Sequence, residues 1–280
     1  MTIKILADST CDLSSALKSK YDITILPLSV IKNDHEFKDG VDITPQDIFD
    51  NVENGNGVCK TSAVNVHEYK QIFQQYANQY DAVLHINISK HFSCCHQNAL
   101  LAAQEFNNVY VVDSLNLSTG SGHIVLDAAR MSEQGKEIQE IVSALEAITP
   151  KVEASFVIDT LKYLYMGGRC SSIAALGANM LKLKPCIEVI DGKMTVGKKY
   201  RGSFENVIEN YVADRLKDRN DLNLEKIFIT HTPCSDEALK TAEETVKKYA
   251  DFKEIIFTDA GCTIGNHCGP NTLGILFERL

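Results

Sequence analysis

The chain has 280 residues, of which 44% are hydrophobic and 23% charged, with 16 Gly and 6 Pro. That is a globular composition without disordered or collagen-like bias, at a length that calls for one large or two medium domains. Twenty-eight Lys plus Arg stand against 37 Asp plus Glu, a formal charge of −9, which disfavours general binding to a nucleic-acid phosphate backbone.

No apolar run approaches the length of a bilayer span, and Met1-Thr2-Ile3-Lys4-Ile5 lacks a signal-peptide profile, so a cytoplasmic protein without integral membrane contact is expected. Ile3 to Ala7 reads as a strand ending in the polar loop Asp8-Ser9-Thr10, and Ile23 to Ile31 as a second strand. Thr44-Pro45-Gln46-Asp47 has the form of a helix start, with Thr as N-cap and Pro at the first helical position. From Asn65, the residues Tyr69, Ile72, Phe73, Tyr76 and Tyr80 recur at helical spacing, and the tyrosines are read as core rather than as a ligand platform.

Ala82 to Ile88 alternates as a strand, a helix is predicted from near Ser93 to Phe106, and Val109 to Val112 is the next strand. Helices follow at Gly120 to Glu133 and Glu137 to Ile148, stopped by Pro150. Strands alternating with helices of this length indicate βαβ units and a parallel, Rossmann-like sheet. In the second half, Asp191-Gly192 between Pro185–Ile190 and Lys193–Val196 signals a type I′ hairpin. Strands at 226–230, 254–258 and 273–278, with helices at 204–217 and 235–249, complete a mixed sheet. The fold class is therefore α/β, in two α/β domains: 1–155 with a parallel sheet and 156–280 with a mixed sheet.

Nine cysteines are scattered without any Cys-x-x-Cys, so reduced thiols are expected. Cys94-Cys95 reads as two small side chains at a helix start. Cys262, His267 and Cys268 match no zinc spacing, and no metal is expected. Ligands of open α/β sheets collect at loops after the strands, which here are Asp8-Ser9-Thr10, Ser89 to Ser93 and Asp113-Ser114. Ser93 stands at a predicted helix start, either as an N-cap or as a donor to an anion. Lys60-Thr61-Ser62 is a hydroxyl cluster before a helix. Gly167-Gly168 ends a short helical stretch and leaves Arg169 beside permissive backbone. Tyr200-Arg201-Gly202 closes the hairpin, and His267 lies in the glycine-rich loop 261–270. None of these is a Walker A, dinucleotide, nucleophile-elbow or zincin spacing.

Taken together and in order, Asp8-Ser9-Thr10-Cys11-Asp12-Leu13, Lys60-Thr61-Ser62, Ile88 to Ser93, Leu161 to Arg169, Lys184-Pro185, Tyr200-Arg201-Gly202 and Gly265-Asn266-His267-Cys268-Gly269-Pro270 resemble the DegV family along the whole chain. The resemblance implies two α/β domains with a long-chain fatty acid, such as palmitate, between them, and a non-enzymatic lipid-binding role without a cofactor. It also implies a partner, the ATP-dependent subunit of a fatty acid kinase, that phosphorylates the bound acid. Carried over by position, Thr61, Ser93 and His267 would hold the carboxylate with Ser62 and Cys94 beside them, and Arg169 and Arg201 would face the partner and the phosphoryl group. Cys94-Cys95 stands where the family pattern has Gly-Thr. Two alternatives are a small-carbonyl-binding enzyme that uses His267, by likeness to dihydroxyacetone kinases, and a redox module on Cys94-Cys95.

Overall fold

Elements begin where the capping chemistry of the sequence places them. Residues 1–174 and 183–280 are described in the computed structural model. In chain order they form β1 (Ile3–Asp8), α1 (Ser15–Lys20), β2 (Thr24–Leu26), β3 (Ser29–Lys32), β4 (His35–Lys38), α2 (Pro45–Glu53), β5 (Lys60–Ser62), α3 (Val66–Ala77), β6 (Ala82–Asn87), α4 (Cys95–Ala103), β7 (Val109–Asp113), α5 (Ser118–Glu133) and α6 (Ile138–Ile148). Then come β8 (Val152–Ile158), α7 (Lys162–Gly167), the turn α8 (Ser171–Ala174), β9 (Lys184–Ile190), β10 (Lys193–Tyr200), α9 (Phe204–Leu216), β11 (Leu222–His231), α10 (Asp236–Tyr249), β12 (Glu254–Asp259), α11 (Cys262–Cys268) and β13 (Thr272–Arg279).

The helix starts at Thr44 and Asn65 are both capping boxes, in which the cap side chain takes the third backbone N–H and Asp47 or Glu68 returns the bond. Ile23 to Ile31 is not one strand but two, β2 and β3, in different sheets. Pro27 lies between them and has no N–H for a ladder, and the next N–H, of Leu28, donates to Ser9 Oγ. The hydroxyl cluster Lys60 to Ser62, expected as a lead-in to a helix, is itself the edge strand β5.

A parallel sheet runs in the order β2-β1-β6-β7, so its direction of winding reverses between β1 and β6. The mixed sheet runs β10-β9-β8-β13-β11-β12 and is antiparallel except between β11 and β12. A third sheet, β4-β3-β5, is antiparallel and sets Val30 opposite Thr61. In the β9–β10 hairpin, Asp191 and Gly192 have φ of 49° and 76°, the two left-handed residues of a type I′ turn. Strand β8 was not expected, and the division foreseen near residue 155 falls inside it.

Helix α5 lies between the parallel and mixed sheets. Its buried Ile124, Val125 and Leu126 pack in one cluster with Ile5 and Ile86 on one side and Ala154, Phe228 and Leu276 on the other. Helices α3 and α4 cover the outer face of the parallel sheet around Tyr69 and Phe73, and α9 and α10 cover that of the mixed sheet. The tyrosine stripe is thus core at Tyr69, as its spacing predicts. Among the described residues, no helix is long and apolar enough to cross a membrane.

Candidate ligand-binding site

Where the loop after β6 meets β5, α11 and β10, the chain forms a cavity of about 490 Å³. Its apolar walls include Leu28, Ala63, Ile88, Phe92, Leu117, Met194 and Ile264, and Thr61, Ser62, Ser93, Cys94, Arg169 and His267 line the same space. A mostly apolar hollow of this size with a few convergent polar groups has the form of a small-molecule site. It lies beside the switch point between β1 and β6, where an open α/β sheet collects ligands.

Two of the polar groups are in direct contact although 206 positions separate them: Thr61 Oγ1 lies 2.9 Å from His267 Nε2. Thr61 is on edge strand β5. His267 is on α11, so the stretch read from its glycines as a loop is a seven-residue helix. Its neighbour Asn266 donates its side-chain amide to Cys59 O at 2.8 Å, which ties α11 to the approach of β5.

Burial, and secondarily the Arg169 cation, push His267 down from 6.5 to about 4, so the ring is neutral at pH 7. Its Nδ1 is buried without a partner. A buried N–H left unpaired is rarer and costlier than an unpaired acceptor, which favours the tautomer with hydrogen on Nε2. In that tautomer Nε2–H donates to Thr61 Oγ1, and the Thr61 hydroxyl hydrogen is free to donate to a ligand.

Ser93 is not the N-cap of α4, because the helix begins two residues later with Cys94 at the cap. Ser93 Oγ accepts the N–H of Cys95 at 3.3 Å and donates to Cys95 Sγ at 3.1 Å. Cys94 is exposed into the cavity and Cys95 is buried. Arg169 donates from Nη1 to Gly167 O at 2.8 Å, just past the left-handed Gly168 that ends α7. Arg201 differs: it is exposed after β10 and is not among the residues that line the cavity.

Of the three polar loops, only the one after β6 reaches the cavity. Asp8 is buried and accepts the Tyr69 hydroxyl at 2.7 Å and the Ile88 N–H at 3.0 Å, so it anchors the end of β6 from beneath. Sequence reasoning missed Gly167, which packs on His267, and the apolar wall residues, whose periodicity marks burial without saying against what. Among the described residues, no group of three or more His, Cys, Asp and Glu is placed to hold a metal ion.

Fold and site together define an α/β protein with an apolar cavity closed by hydroxyl, imidazole and guanidinium donors. The sequence matches over residues 2–280 the family described as uncharacterised protein, DegV family, and the chain belongs to the DegV family. A DegV domain-containing protein of Caldanaerobacter subterraneus subsp. tengcongensis is 31% identical over 280 residues, 99% of each chain. The solved structure of a DegV family protein from Thermus thermophilus, described by its fatty acid binding, superposes with a TM-score of 0.91 at 27% identity over 100% of both chains. A DegV lipid-binding protein from Thermotoga maritima superposes with a TM-score of 0.88 at 28% identity, over 100% of this chain and 99% of that one.

Proposed function

We propose that this protein binds a long-chain fatty acid, with its tail in the apolar part of the cavity and its carboxylate at Thr61, Ser93 and His267, beside Ser62 and Cys94. The observation that carries this reading is the Thr61–His267 contact at 2.9 Å in the wall of a cavity that also has an apolar stretch for a tail. A neutral imidazole there holds the Thr61 oxygen and aims its hydrogen outward, which suits an acceptor-only headgroup. A bound carboxylate would also draw the Ser93 hydroxyl hydrogen away from Cys95 Sγ. Fatty-acid binding by the Thermus relative supports the same ligand class.

Affinity comes from the tail: roughly 14 methylenes at ~0.8 kcal/mol each give ~11 kcal/mol of gross transfer energy, reduced by the cost of association. The headgroup contacts set orientation. In this reading the chain works in the cytoplasm as two α/β domains that divide just before β8 rather than at residue 155, and carries the acid to an ATP-dependent kinase subunit without being an enzyme itself. Arg169, at the cavity, and Arg201, exposed after β10, then serve the partner and the phosphoryl group.

Mass spectrometry of a denaturing extract should find a long-chain acid near one per protein, and Ser93→Ala should weaken palmitate binding by ~1–3 kcal/mol. A protein that carries no acid and binds none on titration is not a fatty-acid carrier.

A further inference from the structure

The helix that carries His267 is held at its start by residues from the first part of the chain. No side chain of its own caps α11. Its first N–H groups are taken by residues that precede it by more than 200 positions: Asp39 Oδ1 accepts from Cys262 at 2.7 Å, Asp39 Oδ2 from Thr263 at 3.2 Å, and Asp12 Oδ1 accepts from Gly261 at 2.9 Å. These carboxyl oxygens satisfy N–H groups that the helix itself cannot pair, and they meet the positive end of the helix dipole.

Asp39 is well placed to carry this load because it is fixed to the sheet that bears Thr61. It directly follows β4, and its own N–H donates to Leu28 O at 2.9 Å. Ser9 Oγ donates to Asp39 Oδ2 at 2.9 Å and accepts the Leu28 N–H at 3.1 Å. Strand β4 pairs with β3 and β3 with β5, which holds Thr61. Asp39 and Thr61 therefore belong to one three-stranded unit, and α11 is bolted to that unit by a buried carboxylate. Five helical steps, a rise of about 7–8 Å, separate the bolt at Cys262 from His267.

We propose that Asp39 is the positioning residue for His267: by fixing α11 to the β4-β3-β5 sheet it sets the Thr61–His267 contact, and with it the preference of the cavity for a carboxylate headgroup over a neutral one. The headgroup part rests on the fatty-acid reading above. Asp39 acts through the helix and does not line the cavity. This also gives the loop after β1 a use, since Ser9 braces the carboxylate and Asp12 takes the adjoining N–H.

Asp39→Asn keeps the shape but turns one acceptor into an amide that faces a backbone donor. In the lipid-free variant, nuclear magnetic resonance should show the His267 ring titrating nearer 6.5 than about 4. The ratio of palmitate to hexadecanol affinity should fall about five- to tenfold, in line with a lost cap, and should fall no further when Asp39→Asn is added to His267→Ala. Ser9→Ala, which loosens the brace and keeps both Asp39 oxygens, should shift both readouts in the same direction by less.

A folded Asp39→Asn protein with unchanged His267 titration and unchanged ratio overturns the proposal. So does equal weakening of acid and alcohol, which marks general loosening only. If the wild type itself binds no palmitate, the fatty-acid reading fails, while the His267 titration of the lipid-free variants still decides whether Asp39 holds the ring.

Discussion

Gly167, the last residue of α7, backs the His267 ring so closely that one methyl group decides the geometry. A Cβ placed there would lie 2.2 Å from His267 Nδ1, 3.2 Å from Cε1 and 3.3 Å from Cγ. Ordinary contact needs about 3.5 Å, so in Gly167→Ala the ring must shift by about 1 Å, and a displacement of that size cannot preserve the 2.9 Å hydrogen bond to Thr61. In open helix the change would stabilise by about 1 kcal/mol. Here overpacking at about 1–3 kcal/mol and the lost bond at about 1 kcal/mol outweigh that gain. The expected outcome is a net loss of about 1–3 kcal/mol in denaturant unfolding and palmitate affinity about five- to twentyfold weaker by calorimetric titration.

Gly168→Ala is the matched control. Its φ is +66° and nothing lies within 4 Å of a Cβ there, so the substitution strains the backbone by about 1–2 kcal/mol and leaves the ring alone. Its stability should fall with palmitate affinity unchanged. Wild-type affinity in Gly167→Ala, or the same affinity loss in both variants, would refute the claim that this glycine sets the imidazole.

Two further outcomes follow from the buried groups. Because the folded-state value of His267, about 4, lies below its ordinary 6.5, the folded protein takes up this proton later than the unfolded chain, and stability is lost as pH falls from about 6.5 toward 4. The contribution approaches ~3 kcal/mol at the bottom of that range, and unfolding of His267→Gln followed over the same range should lack that part of the slope; equal slopes would contradict it. Among nine free thiols, Cys94 is exposed and Cys234 half-buried, with the rest buried, and burial pushes Cys95 up to about 12. Native alkylation read by peptide mass mapping should therefore label Cys94 first, and palmitate should slow it. Labelling unaffected by palmitate would move the headgroup away from Cys94.

What the sequence discloses is what local chemistry decides. Capping at Thr44 and Asn65, the Asp191-Gly192 turn and the apolar runs of β1, β6 and β7 all depend on neighbours in the chain, and they stand where the residues indicate. Helix α11 depends on Asp39 and Asp12, which are distant in sequence, so Gly261 to Pro270 reads locally as a loop. The sheet β4-β3-β5 was missed for a similar reason: β5 is three residues long and gains its place from pairing with β3. The candidate site residues Thr61, Ser93 and His267 come from family likeness, and the direct Thr61–His267 contact and the support from Gly167 are visible only in three dimensions. Arg201 was brought in with them on the same likeness, yet the cavity walls do not include it.

The position of β13 bears on how the molecule comes into being. The last strand in chain order lies between β8 and β11 in the interior of the six-stranded sheet, and α11 immediately precedes it. During translation, every wall residue of the cavity before α11 leaves the ribosome ahead of His267 and Cys268, and the sheet that backs them has a gap until β13 inserts. A nascent chain thus has an unfinished cavity, and a ligand that needs His267 can be held only once this stretch has been synthesised.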